Sequence, residues 1–209
     1  MTHQADFSVP TERVGRYLHF RWNFVAPVPV EEARQRLRDY FTRLGYTLAS
    51  SGDALVMTRG SLARSMLKWS PRNLAVELTV RCAPAADGTA VTLELRLNRT
   101  GHTIFEAERY LHAWELVRAE TYLRGEPVDF AAMEHFVQRT LERFRLSQWL
   151  ALAISVPFAV LIFAIGRPIL TELGIGGTLR GAILGGLIGA LVGSLIWLFN
   201  RVLLNPQKY

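Results

Sequence analysis

Leu146–Gly166 reads LSQWLALAISVPFAVLIFAIG, 21 residues without a charged side chain, bracketed by Arg145 and Arg167. Gly181–Asn200 reads GAILGGLIGALVGSLIWLFN, 20 uncharged residues bracketed by Arg180 and Arg201. At a helical rise of about 1.5 Å per residue, each run covers about 30 Å, the thickness of a bilayer core. Trp149, Trp197 and Tyr209 stand near the ends, where amphipathic rings suit the membrane–water interface. The remaining chain offers too little apolar surface to bury both runs as core helices. The pair therefore predicts a transmembrane helical hairpin over residues 148–204, with spans at about 147–166 and 180–200 and a tail at 205–209.

Arg139, Arg143, Arg145, Arg201 and Lys208 lie on the terminal side of the spans, against Arg167 and Arg180 in the connection. The positive-inside rule then expects a multi-pass protein of the cell (inner) membrane with both termini in the cytoplasm. Pro157 falls inside the first span and predicts a kink that shapes packing.

The second span and its approach, GTLRGAILGGLIGALVGSL, place Gly177, Gly181, Gly185, Gly189 and Gly193 four residues apart. Glycine inside a helix costs about 1 kcal/mol against alanine. In a bilayer, small residues let helices approach closely, and packing drives their association. A repeat longer than 3.6 residues favours a right-handed crossing. Ala182, Gly186, Ala190 and Ser194 form a second stripe one residue on, and the first span offers Ala151, Ser155 and Ala159 at the same spacing. Two expectations follow: the stripes pack together within the hairpin, and the ladder joins two copies of the chain as a glycine zipper.

Upstream the chain changes character. Residues 1–147 carry 20 Lys and Arg against 17 Asp and Glu, and residues 148–209 carry four against one. The positive excess is shared and nowhere concentrated, which argues against a nucleic-acid partner. Lys68 and Lys208 are the only lysines, a bias that fits a GC-rich bacterial genome. The first 30 residues lack a basic start followed by an apolar core, so no cleavable signal peptide is expected. The lone Cys82 allows no internal disulfide and reads as a buried structural thiol.

Residues 14–25, VGRYLHFRWNFV, alternate: Leu18, Phe20, Trp22 and Phe24 face one way, Tyr17, His19, Arg21 and Asn23 the other. A helix follows, with Val30, Ala33, Leu37, Tyr40, Phe41 and Leu44 on one side and Gly45 as its stop. YTLAS and ALVMTRG make a hairpin around SGD. Two longer strands turn inward Leu74, Val76, Leu78, Val80 and Cys82, then Val91, Leu93, Leu95 and Leu97, with APAADG as the turn. Thr103 and Glu106 form a capping box opening a helix to about Leu123.

The expected fold class is an α+β cytoplasmic domain at 14–126, ordered strand–helix–four strands–helix on one antiparallel sheet, behind a flexible N-terminus at 1–13. This order resembles the TATA-binding-protein-like and helix-grip arrangements, a likeness of topology that implies no function. Residues 127–147 read as an amphipathic juxtamembrane helix capped by Asp129, with Phe130, Met133, Val137, Leu141 and Phe144 as its stripe.

No spacing marks a catalytic set. His3, His19, His102, His112 and His135 are scattered, and no metal-ligand pair, phosphate loop or nucleophile elbow occurs. Catalytic, cofactor and metal residues are therefore expected to be none. His112 and Glu108 read as a surface pair at i and i+4. Within RGSLARSMLKWSPRN (59–73), Arg64, Lys68, Trp69 and Arg72 make a basic, apolar mixture. It reads as a loop capping the sheet's open end or as a contact with an anionic membrane surface. The leading functional expectation is a non-enzymatic binding or scaffold module with an unknown protein partner, anchored in the lipid bilayer and able to form homo-oligomers. The alternatives are a small glycine-zipper pore and a binder of lipid or another apolar ligand at the membrane surface.

Overall fold

The computed structural model describes residues 9–61, 63, 70–100 and 104–204. The chain divides into two compact units, Met1–Gln138 and Arg139–Tyr209. The first unit holds a six-stranded antiparallel sheet in the order β1-β2-β6-β5-β4-β3. Its strands are β1 (Thr11–Val14), β2 (Tyr17–Ala26), β3 (Thr47–Ser51), β4 (Ala54–Arg59), β5 (Val76–Ala85) and β6 (Gly88–Asn98). Helices α1 (Val30–Arg43) and α2 (Glu106–Leu123) belong to this unit, and the division falls inside α3 (Phe130–Glu172). Helix α4 (Gly177–Leu203) lies in the second unit.

The α+β architecture with an antiparallel sheet and two long apolar C-terminal helices is as the periodicities indicate. The alternating apolar positions meet across the strands. Phe20 pairs with Leu95, Leu95 with Leu78, and Leu78 with Met57, making one buried row across four strands. Leu37, Tyr40 and Phe41 of α1 and Leu111, Leu116, Ala119 and Leu123 of α2 are buried as well, so both helices close this core. Across the outer face, Arg21 and Arg81 both pair with Glu94, and Arg96 pairs with Glu77. The start of α3 joins the core: Met133 is buried, and Phe130 lies 5.6 Å from the Tyr40 ring.

Four local readings are corrected. Residues 11–14 form an edge strand where a flexible end was expected. TERV has no apolar alternation, and its order comes from pairing with Tyr17–Phe20. β5 and β6 run further than read, leaving Ala86 and Asp87 between them, because the ladder continues through Pro84–Thr89 and Ala85–Gly88. β5 also starts later: Pro71–Asn73 is a short 3₁₀ turn, after which Leu74 is buried. Finally, the carboxylate that reaches back at the start of α2 is that of Glu108, accepting from the Phe105 N–H at 2.7 Å. Thr103 lies outside the described residues. Cys82 is half-buried, near the end of the core face, where burial pushes its thiol up.

Both sheet edges are irregular. β1 is four exposed residues preceded by Pro10, and β3 is exposed throughout, with a register shift between Leu48 and Ser50.

Gly88 has φ +130°, and a Cβ there would stand 2.2 Å from the Ala26 carbonyl oxygen. Gly15, at φ +56°, has open space around it. Gly88→Ala is expected to lower unfolding stability by clearly more than about 1 kcal/mol, and Gly15→Ala by less, because only the first adds a backbone collision to strain. Denaturant unfolding of the detergent-solubilised chain checks the order; equal losses would contradict it.

Candidate functional site

β4 places Leu55, Met57 and Arg59 on the same face by two-residue periodicity, so Arg59 enters the core beside Val76. On α2, His112 and Glu115 share the buried side with Leu111 and Leu116. The two sets meet. Arg59 Nη1 donates to Glu115 Oε1 at 2.8 Å, and Nη2 donates to Oε2 at 3.0 Å. Tyr46 Oη donates to the same Oε2 at 3.0 Å, and Tyr40 Oη donates to the Glu115 carbonyl at 2.8 Å. Arg59 Nη1 also reaches the Leu44 carbonyl at 3.0 Å, and the guanidinium carbon lies 4.3 Å from the Tyr46 ring centroid.

His112 Nδ1 lies 3.4 Å from Glu115 Oε2 and 3.5 Å from Arg59 Nη2. Nη2 already has the carboxylate, so Nδ1–H donation to Oε2 is the tautomer we assign. It leaves Nε2 as a bare lone pair, and Nε2 is buried without a partner among the described residues. Burial pushes His112 down from its ordinary value, and Arg59 adds to this against the pull of Glu115. Burial alone would raise Glu115; Arg59 and His112 outweigh it and bring the carboxyl down to about 2. Burial pushes the phenols of Tyr40 and Tyr46 well up. The cluster is thus an ionised pair with neutral neighbours, and both carboxylate oxygens are committed to donors.

This corrects two readings. Arg59 is a core residue, 5 % exposed, and no part of a surface stretch. His112 and Glu108 are fully buried and form no surface pair. Part of the signal was present for the ion pair: Arg59 keeps the inward parity of β4, and Glu115 falls on the apolar stripe of α2. Read together, an acid and a base at two core positions point to each other.

Of the basic, apolar stretch, Arg64, Lys68 and Trp69 lie outside the described residues. Arg72 pairs with Glu134 at the start of α3. The outer sheet face carries an open hollow of about 250 Å³, bordered by Tyr17, Thr58, Glu77, Arg96 and Asn98. The Arg16 and Arg96 guanidinium carbons lie 5.2 and 4.9 Å from the Tyr17 ring centroid. Among the described residues no group of three or more His, Cys, Asp and Glu could hold a metal ion.

In the second unit, α3 and α4 pair as an antiparallel hairpin. Arg143 reaches the Leu203 carbonyl, Ser147 donates to Asn200, and Arg180 donates to Thr171. Ala151 and Ser155 are buried and Ala159 is half-buried. The glycine ladder does not meet them. A Cβ added at Gly177, Gly181, Gly185, Gly189 or Gly193 would find nothing within 4 Å. The side of α4 that is buried carries Leu184 and Asn200. A Cβ at Gly166 would stand 2.6 Å from Leu184 Cδ2, so α4 sets a bulky side chain against a gap in α3. The expected stripe-on-stripe packing is thus not found among the described residues.

No protein-family model matches this chain, and no curated protein does. Among solved structures, CalU16 from Micromonospora echinospora is 14 % identical, with 63 % of this chain and 89 % of that chain covered and a TM-score of 0.35. EF2215 from Enterococcus faecalis, described as a conserved protein of unknown function, is 8 % identical, with coverages of 63 % and 89 % and a TM-score of 0.36. The protein encoded by gene BPP1335 from Bordetella parapertussis is 15 % identical, with coverages of 62 % and 86 % and a TM-score of 0.29. At these TM-scores the likenesses carry no argument about this chain.

Removing one partner of a buried ion pair leaves the other charged and uncompensated, a loss of about 3–5 kcal/mol. Glu115→Gln is expected to destabilise the domain by that order, and Glu115→Gln with Arg59→Met by less. The acid side is also predicted. The Glu115 carboxyl is depressed in the fold, so its contribution is full above about 4.5 and is lost as pH falls towards 2. His112, a base depressed by burial, adds a loss that begins as pH drops below its ordinary 6.5. Unfolding followed by near-ultraviolet circular dichroism across this range tests both; an unchanged acid slope in Glu115→Gln would refute the Glu115 assignment.

Proposed function

We propose that this chain is an integral membrane protein whose α+β unit is a non-enzymatic binding or scaffold module, anchored by the α3–α4 hairpin. One observation carries the anchoring. In the most apolar 18-residue stretches of α3 and α4, only 11 % and 6 % is buried. Side chains such as Val160 (64 % exposed) and Leu187 (54 %) face outward, the reverse of a helix packed into a water-soluble core. The polar side chains Ser147, Ser155 and Asn200 turn inward instead. This inversion supports a hydrocarbon surround. The cation count beside the spans supports a multi-pass arrangement in the inner membrane with both termini in the cytoplasm.

The binding role is supported by how the polar groups are used. The buried acid, guanidinium and phenols hydrogen-bond to one another, leaving only Arg59 Nε and His112 Nε2 of this cluster without a partner among the described residues. The outer face of the sheet carries paired charges and a shallow hollow around Tyr17. That face is the surface we assign to a protein partner. The exposed ladder supports a second contact, a homo-oligomer through Gly181, Gly185, Gly189 and Gly193, since a face this smooth lets another helix approach closely.

Two measurements test these readings. After alkaline carbonate washing, the full chain is expected to stay with the membrane fraction; release into the supernatant would end the anchoring proposal. In mild detergent, native mass spectrometry is expected to show more than one copy per particle, with Gly185→Leu and Gly189→Leu shifting the population to monomer. A monomeric parent chain, or an assembly indifferent to both changes, would remove the ladder contact.

A further inference from the structure

Between α3 and α4, near their connection, lies a groove of about 340 Å³. Leu161, Ile165 and Ile169 line it from α3, and Ile183, Leu184 and Leu187 from α4, and no polar surface is exposed within it. Ile183 and Leu184 lie three and four residues beyond Arg180, so Arg180 shares their side of α4 one turn nearer the connection, beyond the residues that line the groove. Its Nη1 donates to Thr171 Oγ1 at 2.6 Å and its Nη2 to the Ile175 carbonyl at 3.1 Å. These bonds hold the guanidinium in place but give it no counter-charge. Its Nε is shielded and has no hydrogen-bond partner among the described residues. Neither Arg180 nor Arg167 enters an ion pair among them. The first turn of α4 adds free N–H groups, because Gly176 supplies no side-chain cap.

We infer that the connection end of this hairpin binds an anionic phospholipid. One acyl chain lies along the groove, and the headgroup phosphate sits at Arg180, with Arg167 and the α4 N-terminus adding positive potential. The apolar walls suit an acyl chain and the guanidinium suits a phosphate, and a phospholipid carries both. A zwitterionic headgroup brings its own cation to the same place and gains less from two arginines. The inference rests on the bilayer reading of α3 and α4.

The full chain, purified in neutral detergent and stripped of native lipid, is titrated with short-chain phosphatidylglycerol and with phosphatidylcholine of the same chains. Native mass spectrometry reads the bound fraction. The anionic lipid is expected to bind about tenfold more tightly, because phosphatidylcholine presents the same phosphate with a cation beside it. Arg180→Gln and Arg167→Gln are each expected to reduce that ratio with helix content unchanged. Arg180 also pins the connection, so if its variant loses helix content, Arg167→Gln, whose side chain holds no ion pair, carries the test. Equal binding of the two lipids to the parent chain, or a preference that survives both changes, would overturn the site. Displacement of the lipid by equimolar inorganic phosphate would overturn it in favour of a free anion. Carbonate extraction keeps the two proposals apart: a chain that stays in the membrane yet shows no headgroup preference sinks only this one.

Discussion

The α+β unit depends on a charge that has nowhere else to go. Arg59 points into the core because β4 alternates, and a buried guanidinium tolerates little but a carboxylate presented in its own plane. Glu115 supplies that carboxylate from α2, and two donor bonds set the rotation and height of the helix over the sheet. Tyr46 and Tyr40 then tie the pair to the end of α1 and to the residue before β3. Apolar packing alone would allow α2 to slide by part of a turn with small loss. The forked ion pair fixes one position at the place where these four segments of chain converge.

The hairpin solves the opposite problem. Its outer surface is apolar, so what distinguishes inside from outside is size and hydrogen bonding. The interior takes the hydroxyls of Ser147 and Ser155, the amide of Asn200 and the bulk of Leu184 against Gly166. Every large residue placed inward frees a small one to face out. The glycine ladder is thus the back of a helix whose front is already engaged.

Much of this was legible in the chain. Leu93, Leu95 and Leu97 alternate so regularly that their strand and its inward face follow from periodicity, and the two uncharged runs follow from composition. Three things were not. TERV is too short and too polar to announce a strand, and only its partner makes it one. Arg59, His112, Glu108 and Glu115 carry side chains that single-residue preference assigns to solvent, and their burial depends on contacts more than fifty positions apart in the case of Arg59 and Glu115. The facing of the ladder could not be read from α4 alone, since periodicity shows that a stripe exists but not which neighbour has room for it. In each case the missing information is the shape or charge of a distant segment.

The irregular edges of the sheet gain meaning from the proposed anchoring. Tethering to a bilayer confines chains to two dimensions and multiplies encounters between copies. An open sheet edge under those conditions is a hazard, because unpaired backbone groups on neighbouring copies would zip together. β1 offers only four residues, with Pro10 before them and Glu12 and Arg13 among them, and β3 is broken by its register shift. Neither edge therefore offers a long, straight row of backbone groups for another chain to extend.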